Sequence, residues 1–379
     1  MKINIEHRIF GLDVVRAIAI LLVLFSHSTL LLFPNEETLT LNGIRFLGTI
    51  GVDLFFVLSG FLIGGIILKQ LEKGRTAFKD FGYFWVRRWF RTLPNYYLVL
   101  FINILLYFLF YGKIVPDVWR FFVFIQNFSE GQIDFFTESW SLSIEEFSYV
   151  LGPLLLYVFL LLFKYKSKHK LFLLVTILII ISSLFIRYGF HQSTLLESNQ
   201  MWSKELRKVV VYRLDSIYYG FLAAYVALYF QSLWKRFKIW SFCLGLSGFL
   251  ILHIVIFSFE ISPVNAPQFF NVWYLPLLSI TLLLFFPLAS QIKTGTVLSV
   301  PITKISVLSY AMYLLNYSII LLTIQYFIDV QSVSFLIKAL LLILFWVLTY
   351  YASYFLFVYF EKPMTNLRES RFIKAIFNQ

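Results

Sequence analysis

The sequence has few charged residues and a single cysteine. Aspartate, glutamate, lysine and arginine make up only 14% of its 379 residues, against about 25% in a typical soluble domain. Hydrophobic residues make up 60%, which indicates an integral membrane protein rather than a large soluble core. Cys243 lies alone in an apolar run, so an intramolecular disulfide is excluded. No cysteine and histidine spacing is typical of a metal site, and no metal is predicted.

The sequence also lacks a linker rich in proline, glycine or serine, and it lacks a cleavable signal peptide. We therefore expect one membrane domain over residues 1–379. Its apolar segments each approach the length of about 20 residues that a bilayer requires. These ten segments are 12–33, 49–71, 92–112, 141–163, 171–189, 210–231, 239–258, 269–289, 305–327 and 335–360. They predict an all-α integral membrane protein with a bundle of about ten transmembrane helices.

Lysine and arginine are unevenly distributed between alternate connections. The two tails and the second, fourth, sixth and eighth connections together hold 21, whereas the other five connections hold six. By the positive-inside rule, this asymmetry predicts a multi-pass plasma-membrane protein with both termini in the cytoplasm. The net charge of +12 is then mostly a topology signal. Membrane lipid is a predicted partner, and nucleic acid is not. The basic connection 72–91 is interpreted as an amphipathic helix on the inner surface.

Arg16 and His27 lie inside the first hydrophobic stretch. A charged side chain near the bilayer centre costs about 2.5–3.5 kcal/mol on insertion scales, so such residues are usually functional. The step of eleven positions from Arg16 to His27 makes about three helical turns, so both side chains project from one face about 16 Å apart. This spacing indicates a path through the protein with reactive chemistry along it.

Further polar residues are predicted at the depth of His27, in the outer half of the membrane. They are Asp53, Glu145, Arg213 and Asp215, each near the start of a segment that enters from outside. Such groups are expected to face the bundle interior and to pair with one another.

The cytoplasmic end of the third segment is basic instead. Arg88 and Arg91 are three residues apart and share a helical face, so together they could grip one phosphate group. They could also be membrane-edge anchors. Simpler interpretations exist for other residues too. His27 could bond a neighbouring helix, Arg16 could pair with Asp13, and one carboxylate of the pair 145–146 could only stabilise a helix start.

A local salt bridge between Arg213 and Asp215 is a further structural interpretation of the 212–220 stretch. It would leave neither side chain for catalysis.

Six short motifs, in order along the chain, resemble those of the membrane acyltransferase-3 family over essentially the whole sequence. The first is Arg-x10-His, present as Arg16 and His27. The others are Phe55-Phe56-x-x-Ser59-Gly60, Arg88-x-x-Arg91, WSLSIEE at 140–146, YRLDSIYYG at 212–220 and FEKP at 360–363.

The resemblance implies an enzyme that transfers an acyl group, commonly acetyl, to a hydroxyl group. The donor would be cytosolic acyl-CoA, used as a substrate, with no bound cofactor. The acceptor would be an envelope polysaccharide, lipopolysaccharide or lipid-linked sugar. The chain shows none of the SGNH hydrolase-like domain that some relatives append, so the membrane unit is expected to deliver the acyl group itself.

Site residues follow from the matched motifs. His27 would act as general base or form an acyl-histidine, with Glu145 orienting its ring, and Asp53 completes the predicted catalytic group. Arg16, Arg88 and Arg91 would bind the donor. Additional predicted site residues are Ser59, Arg213, Asp215, Tyr313 and Asn316.

Asn316 departs from the family pattern, which usually has histidine at this place in SYxxYLxH. Asparagine forms hydrogen bonds but does not titrate near neutral pH, so proton transfer at this position is not expected. Two other functions fit the intramembrane polar residues. One is a proton-coupled transporter or exporter of a small molecule or glycan precursor. The other is a sensor or assembly component.

Overall fold

The computed structural model describes residues 8–163, 167–293, 295, 298–370, 373 and 376–377. Within these residues the regular structure is helical throughout. The ten principal helices are α1 Phe10–Leu32, α2 Leu39–Glu72, α3 Phe78–Tyr111, α4 Ser139–Leu162, α5 Lys168–Ser193, α6 Asp215–Tyr229, α7 Lys238–Ser258, α8 Phe269–Ala289, α9 Ser299–Phe327 and α10 Phe335–Leu367. Residues 1–7 and 378–379, whose cytoplasmic location is predicted, lie outside the described residues.

In the described part of the chain, nine of these helices are long and apolar enough to cross a bilayer. The predicted all-α membrane bundle is therefore confirmed. The segment predicted at 210–231 is the exception. Its first residues form a 3-10 turn, Val210–Tyr212, and only the 15 residues of α6 continue as a helix. The separate surface helix predicted at 72–91 is not observed, because the residues from Phe78 onward form the start of the long helix α3.

Helices α1, α2 and α6 form the interior, and glycine allows two of them to approach closely. A Cβ atom on Gly60 of α2 would lie 1.9 Å from the carbonyl oxygen of Ile217, at the start of α6. A Cβ atom on Gly220 would lie 2.2 Å from the carbonyl oxygen of Val57. Small residues let membrane helices pack backbone to backbone, which explains the glycine in the FFxxSG motif.

Two buried ion pairs hold α6 in place. Arg213 pairs with Asp53 of α2. Arg187 of α5 donates to both carboxylate oxygens of Asp215 at 2.8 and 2.7 Å. The expected local salt bridge between Arg213 and Asp215 is thus wrong. The two residues sit where a turn becomes a helix, so their side chains project toward different neighbours.

Four segments have π-helical hydrogen bonding, in which one residue is effectively inserted into a helix. They are Ser203–Arg207, Phe269–Tyr274, Asn316–Leu321 and Phe357–Glu361. Such segments occur frequently at functional sites because they redirect a side chain. The first and third place Arg207 and Asn316 at the cavity that contains His27.

Candidate functional site

Three cavities follow one another through the bundle. The basic cleft lies where α2 ends and α3 begins, and its polar residues are Lys69, Gln70, Lys73, Arg75, Tyr83, Arg87, Arg88, Arg91 and Arg368. The central cavity is lined by Arg16, Ser59, Arg88, Arg91, Thr92, Ser141, Glu145, Ser309, Tyr310 and Tyr313, with apolar residues between them. The His27 cavity is lined by His27, Arg45, Glu138, Arg207, Lys208, Tyr313 and Tyr317 among others.

Shared residues connect these cavities in order. Arg88 and Arg91 line both the basic cleft and the central cavity. Val52 and Tyr313 line both the central cavity and the His27 cavity. The predicted path along α1 therefore has a physical counterpart, with Arg16 in the central cavity and His27 in the next one.

Tyr313 stands at the boundary between the last two cavities. Its hydroxyl lies 2.8 Å from the hydroxyl of Ser141 and donates to the carbonyl oxygen of Glu138 at 3.1 Å. The ring of Phe55 packs edge-on against it. These contacts fix the phenol, so a group passing between the cavities has to pass the Tyr313 side chain.

Glu145 faces the central cavity, with partners different from the one predicted. It accepts hydrogen bonds from the Ser59 hydroxyl at 2.9 Å and from Arg88 at 3.1 Å. His27 pairs with Asn316 instead, so the expectation that Glu145 orients the imidazole is corrected. The physical reason is that Glu145 lines the central cavity while His27 lines the neighbouring one.

Arg88 is held in place by two groups. Besides its ion pair with Glu145, its guanidinium lies 4.2 Å from the ring centroid of Tyr149. The neighbouring carboxylate of Glu146 turns back to α3 and accepts from Trp89 and Thr92 at 3.2 and 3.1 Å. Arg88 therefore has less capacity for a phosphate than the motif spacing suggested.

Arg16 and Arg91 are better placed than Arg88 to bind a phosphate group. Both line the central cavity and a second cavity beside the C-terminal helix. Asp13 is 3.8 Å from Arg16, but it is paired more closely with Arg8 and accepts a hydrogen bond from Ser306. Among the described residues, Arg91 has no carboxylate within ion-pair distance.

His27 is oriented by Asn316 across the α1–α9 interface. The Asn316 amide nitrogen donates to the carbonyl oxygens of Met312 and Tyr313, each at 2.8 Å. This fixes the amide orientation, so its oxygen is the atom that meets Nδ1 of His27. An amide oxygen only accepts, so Nδ1 carries the proton and Nε2 of the neutral ring keeps its lone pair. The Tyr317 ring packs at 4.8 Å from the imidazole centroid.

Three predicted site residues lie elsewhere. Asp53, Arg213 and Asp215 are at most 2% exposed and are engaged in the two ion pairs that hold α6. Asp53 lines neither the central cavity nor the His27 cavity. The structure gives these side chains a packing role, because each charge is matched by a buried partner.

The sequence analysis missed Arg187, Arg207 and Lys208. The sequence contained a signal for Arg207 and Lys208. Half of the six lysines and arginines in the outer connections lie between α5 and α6, where the positive-inside rule does not account for them. Burial lowers the pKa of Arg207 to about 10. Burial, together with the neighbouring Arg207, lowers the pKa of Lys208 to about 8.

Comparison with known proteins identifies one family. A family described as an acyltransferase domain matches residues 9–364. The peptidoglycan O-acetyltransferase OatA of Listeria monocytogenes is 34% identical over 145 residues, which cover 34% of this chain and 22% of OatA. The putative peptidoglycan O-acetyltransferase YrhL of Bacillus subtilis is 34% identical over 194 residues, covering 47% of this chain and 28% of YrhL.

A putative O-acetyltransferase of Staphylococcus aureus is 30% identical over 179 residues, covering 42% of this chain and 26% of that protein. The matched stretches thus span between 22% and 28% of these relatives' own length. No solved structure matches the chain.

Proposed function

The chain belongs to the acyltransferase family matched over residues 9–364, and we propose that it moves an acetyl group from cytosolic acetyl-CoA to a hydroxyl group of an envelope glycan or lipid-linked sugar. The relatives named peptidoglycan O-acetyltransferases support a cell-wall glycan as the acceptor. The multi-pass fold and the lysine and arginine asymmetry support the plasma membrane as its location.

The donor binds at the basic cleft and the central cavity. CoA carries several phosphates, and its nucleotide end needs cationic partners. The cleft supplies lysines and arginines from α2 and α3. Arg91 and Arg16 lie further in, facing the central cavity, with spare hydrogen-bond donors. The long, thin pantetheine arm lies along the cavity and presents its thioester toward Tyr313 and His27.

His27 carries the chemistry through Nε2. In a direct transfer, Nε2 takes the proton of the acceptor hydroxyl, and the oxygen attacks the thioester carbonyl carbon. The carbon–sulfur bond breaks, and the departing thiolate takes this proton from the His27 imidazolium, which gives free CoA and neutral His27. In a two-step transfer, Nε2 itself attacks the carbonyl and CoA leaves. The oxygen of the acceptor hydroxyl then attacks the carbonyl carbon of the acyl-imidazole, the carbon–nitrogen bond breaks, and the hydroxyl proton is released as His27 is regenerated.

The observation that carries this proposal is the run of three cavities that ends at an imidazole whose Nδ1 contacts the Asn316 amide oxygen, so that Nε2 is the nitrogen left for chemistry. The test uses purified protein in liposomes with acetyl-CoA labelled on the acetyl carbon and a peptidoglycan fragment as acceptor. We expect label on the acceptor with wild-type protein and none with His27→Ala. His253→Gln is the matched control, because His253 lies in α7, away from all three cavities.

Omission of the acceptor separates the two chemical routes. Label that stays on the protein and is lost in His27→Ala supports the acyl-histidine route, whereas its absence supports direct transfer. Transfer by a correctly inserted His27→Ala protein at the wild-type rate would refute the role of His27. Export of unmodified acceptor without labelling it would favour the transporter alternative.

A further inference from the structure

The connection between α5 and α6 brings cations to the His27 cavity that the proposed chemistry does not use. Arg207 and Lys208 line this cavity together with Arg45 of α2. These are three of the six lysines and arginines in all the outer connections. The positive-inside rule explains cations on the cytoplasmic side, so a cluster at the opposite end requires another explanation.

The backbone holds Lys208 firmly on the bundle. The Asn127 side-chain amide donates to the Lys208 carbonyl oxygen at 2.6 Å. Two residues shortly after Lys208 pair with the facing connection. The amide of Val210 donates to the carbonyl of Asn127 at 2.9 Å, and that of Val211 donates to the carbonyl of Phe128 at 3.1 Å. The ammonium group of Lys208 therefore projects from a fixed segment.

Arg207 is equally well placed. Its guanidinium lies 4.9 Å from the Trp140 ring centroid, and its Nε and Nη2 atoms donate to the Ser203 hydroxyl at 3.1 and 3.0 Å. These contacts hold the side chain, which is 8% exposed. They leave Nη1 available for a ligand in the cavity.

Three carboxylates near this pair are engaged elsewhere, and exposed Asp134, which acts on Lys208 electrostatically, lies beyond ion-pair distance. Glu205 accepts from the backbone amide of Gly131 at 3.2 Å, Glu138 accepts from Ser318, and Asp53 is paired with Arg213. In the described parts of the chain, no carboxylate lies within ion-pair distance of Arg207 or Lys208. Arg207 is buried and Lys208 is half-buried, and placing two neighbouring cations there without an anion is costly. This cost falls when a ligand supplies the anion.

We propose that Arg207 and Lys208 form an anion-binding subsite for the acceptor, which carries a carboxylate or phosphate near the hydroxyl that is acylated. This inference rests on the proposed function and specifies the acceptor class. Arg45 contributes to the positive potential at the rim, although its guanidinium already donates to the carbonyl oxygens of Phe33 and Glu36. The lowered pKa of Lys208 fits this role, because a bound anion favours the protonated ammonium.

The test compares three acceptor probes that differ in charge. They are a hexuronic acid tetrasaccharide, the same tetrasaccharide as its methyl ester, and a polyprenyl-diphosphate-linked disaccharide. Equilibrium binding and acceptor KM are measured for wild-type protein, Lys208→Gln and Arg207→Gln. We expect wild-type protein to bind at least one anionic probe about tenfold more tightly than the ester. The two anionic probes distinguish a carboxylate from a phosphate.

Both variants should lose this preference without a change in acetyl-CoA KM. Lys208→Arg keeps the charge and should keep the preference. Lys204→Gln is the matched control, because Lys204 is exposed on the same connection and lies outside the cavity. Equal wild-type affinity for ester and anions, or undiminished preference in Lys208→Gln and Arg207→Gln, would overturn the subsite.

The two proposals fail in different ways. Acyl transfer to the ester as readily as to the anionic probes would remove the subsite and leave the acyltransferase proposal intact. Charge-dependent binding without acyl transfer to any probe would support the anion-binding subsite and contradict the acyltransferase proposal.

Discussion

The amide oxygen of Asn316 meets Nδ1 of His27 across the interface between α1 and α9. The amide nitrogen of Asn316 is committed to two carbonyl oxygens of its own helix, so the contact has one direction. The acyltransferase-3 pattern usually has histidine at this position. Here an asparagine contacts the ring without a titratable group, and Nε2 of His27 is the nitrogen that the proposed chemistry uses.

Replacing Asn316 should affect turnover rather than donor binding. Without the acceptor at Nδ1, the ring of His27 loses its fixed tautomer and orientation. We expect Asn316→Ala to lower kcat about a hundredfold, with acetyl-CoA KM nearly unchanged. Asn316→Asp keeps an acceptor oxygen and should recover part of kcat, measured with labelled acetyl-CoA across pH. Equal losses in both variants would point to a structural role alone.

Arg91 should contribute to donor affinity. Because it faces the central cavity without a carboxylate partner, its charge is available to a donor phosphate. We expect Arg91→Gln to raise acetyl-CoA KM about tenfold and to leave the melting temperature unchanged. Arg120→Gln, an exposed arginine paired with Glu130, serves as the control for charge removal. A donor KM equal to that of wild type would return Arg91 to the role of a membrane anchor.

Arg88→Gln should behave differently from Arg91→Gln. Glu145 would lose its ion pair, and both side chains are about 85% buried. We expect a lower melting temperature in detergent together with reduced activity, because an uncompensated buried carboxylate is costly. A stable Arg88→Gln protein with only a raised donor KM would contradict this assignment.

The Asp53–Arg213 pair should be essential for stability. Asp53→Asn leaves Arg213 buried without an anion, which typically costs about 3–5 kcal/mol. Thermal unfolding in detergent measures this effect, and Arg120→Gln is again the comparison, because its pair is solvent-exposed. If Asp53→Asn melted like wild type yet lost all transfer, Asp53 would return to the catalytic group.

Two glycines of α2 offer a matched test of helix approach. At Gly60 a methyl group would meet the Ile217 carbonyl oxygen at 1.9 Å, whereas at Gly65 nothing lies within 4 Å. We expect Gly60→Ala to destabilise the bundle by about 1–3 kcal/mol and Gly65→Ala to be neutral or slightly stabilising. Equal melting temperatures for the two variants would show that α2 and α6 can separate without cost.

Much of the candidate site could be predicted because a polar side chain inside a bilayer costs free energy and is therefore rare unless it has a function. Arg16, His27, Ser59, Glu145 and Tyr313 were found from polarity inside apolar segments and from short motifs. The partner of each side chain could not be found in this way. The prediction that Glu145 orients His27 was wrong because the position of a residue along an apolar segment does not show which of two neighbouring cavities its side chain faces.

Sequence alone determined the class of this protein. Long apolar segments can satisfy their backbone hydrogen bonds in a bilayer only as helices, so composition and segment length were sufficient for an all-α membrane bundle. Tertiary structure decided which buried charges neutralise each other and which remain for a ligand. Asp53 pairs with Arg213, and Asp215 pairs with Arg187. Among the described residues, Arg207 and Lys208 have no carboxylate partner. Pairing depends on helix rotation and close approach, and these are set by contacts between residues far apart in the chain.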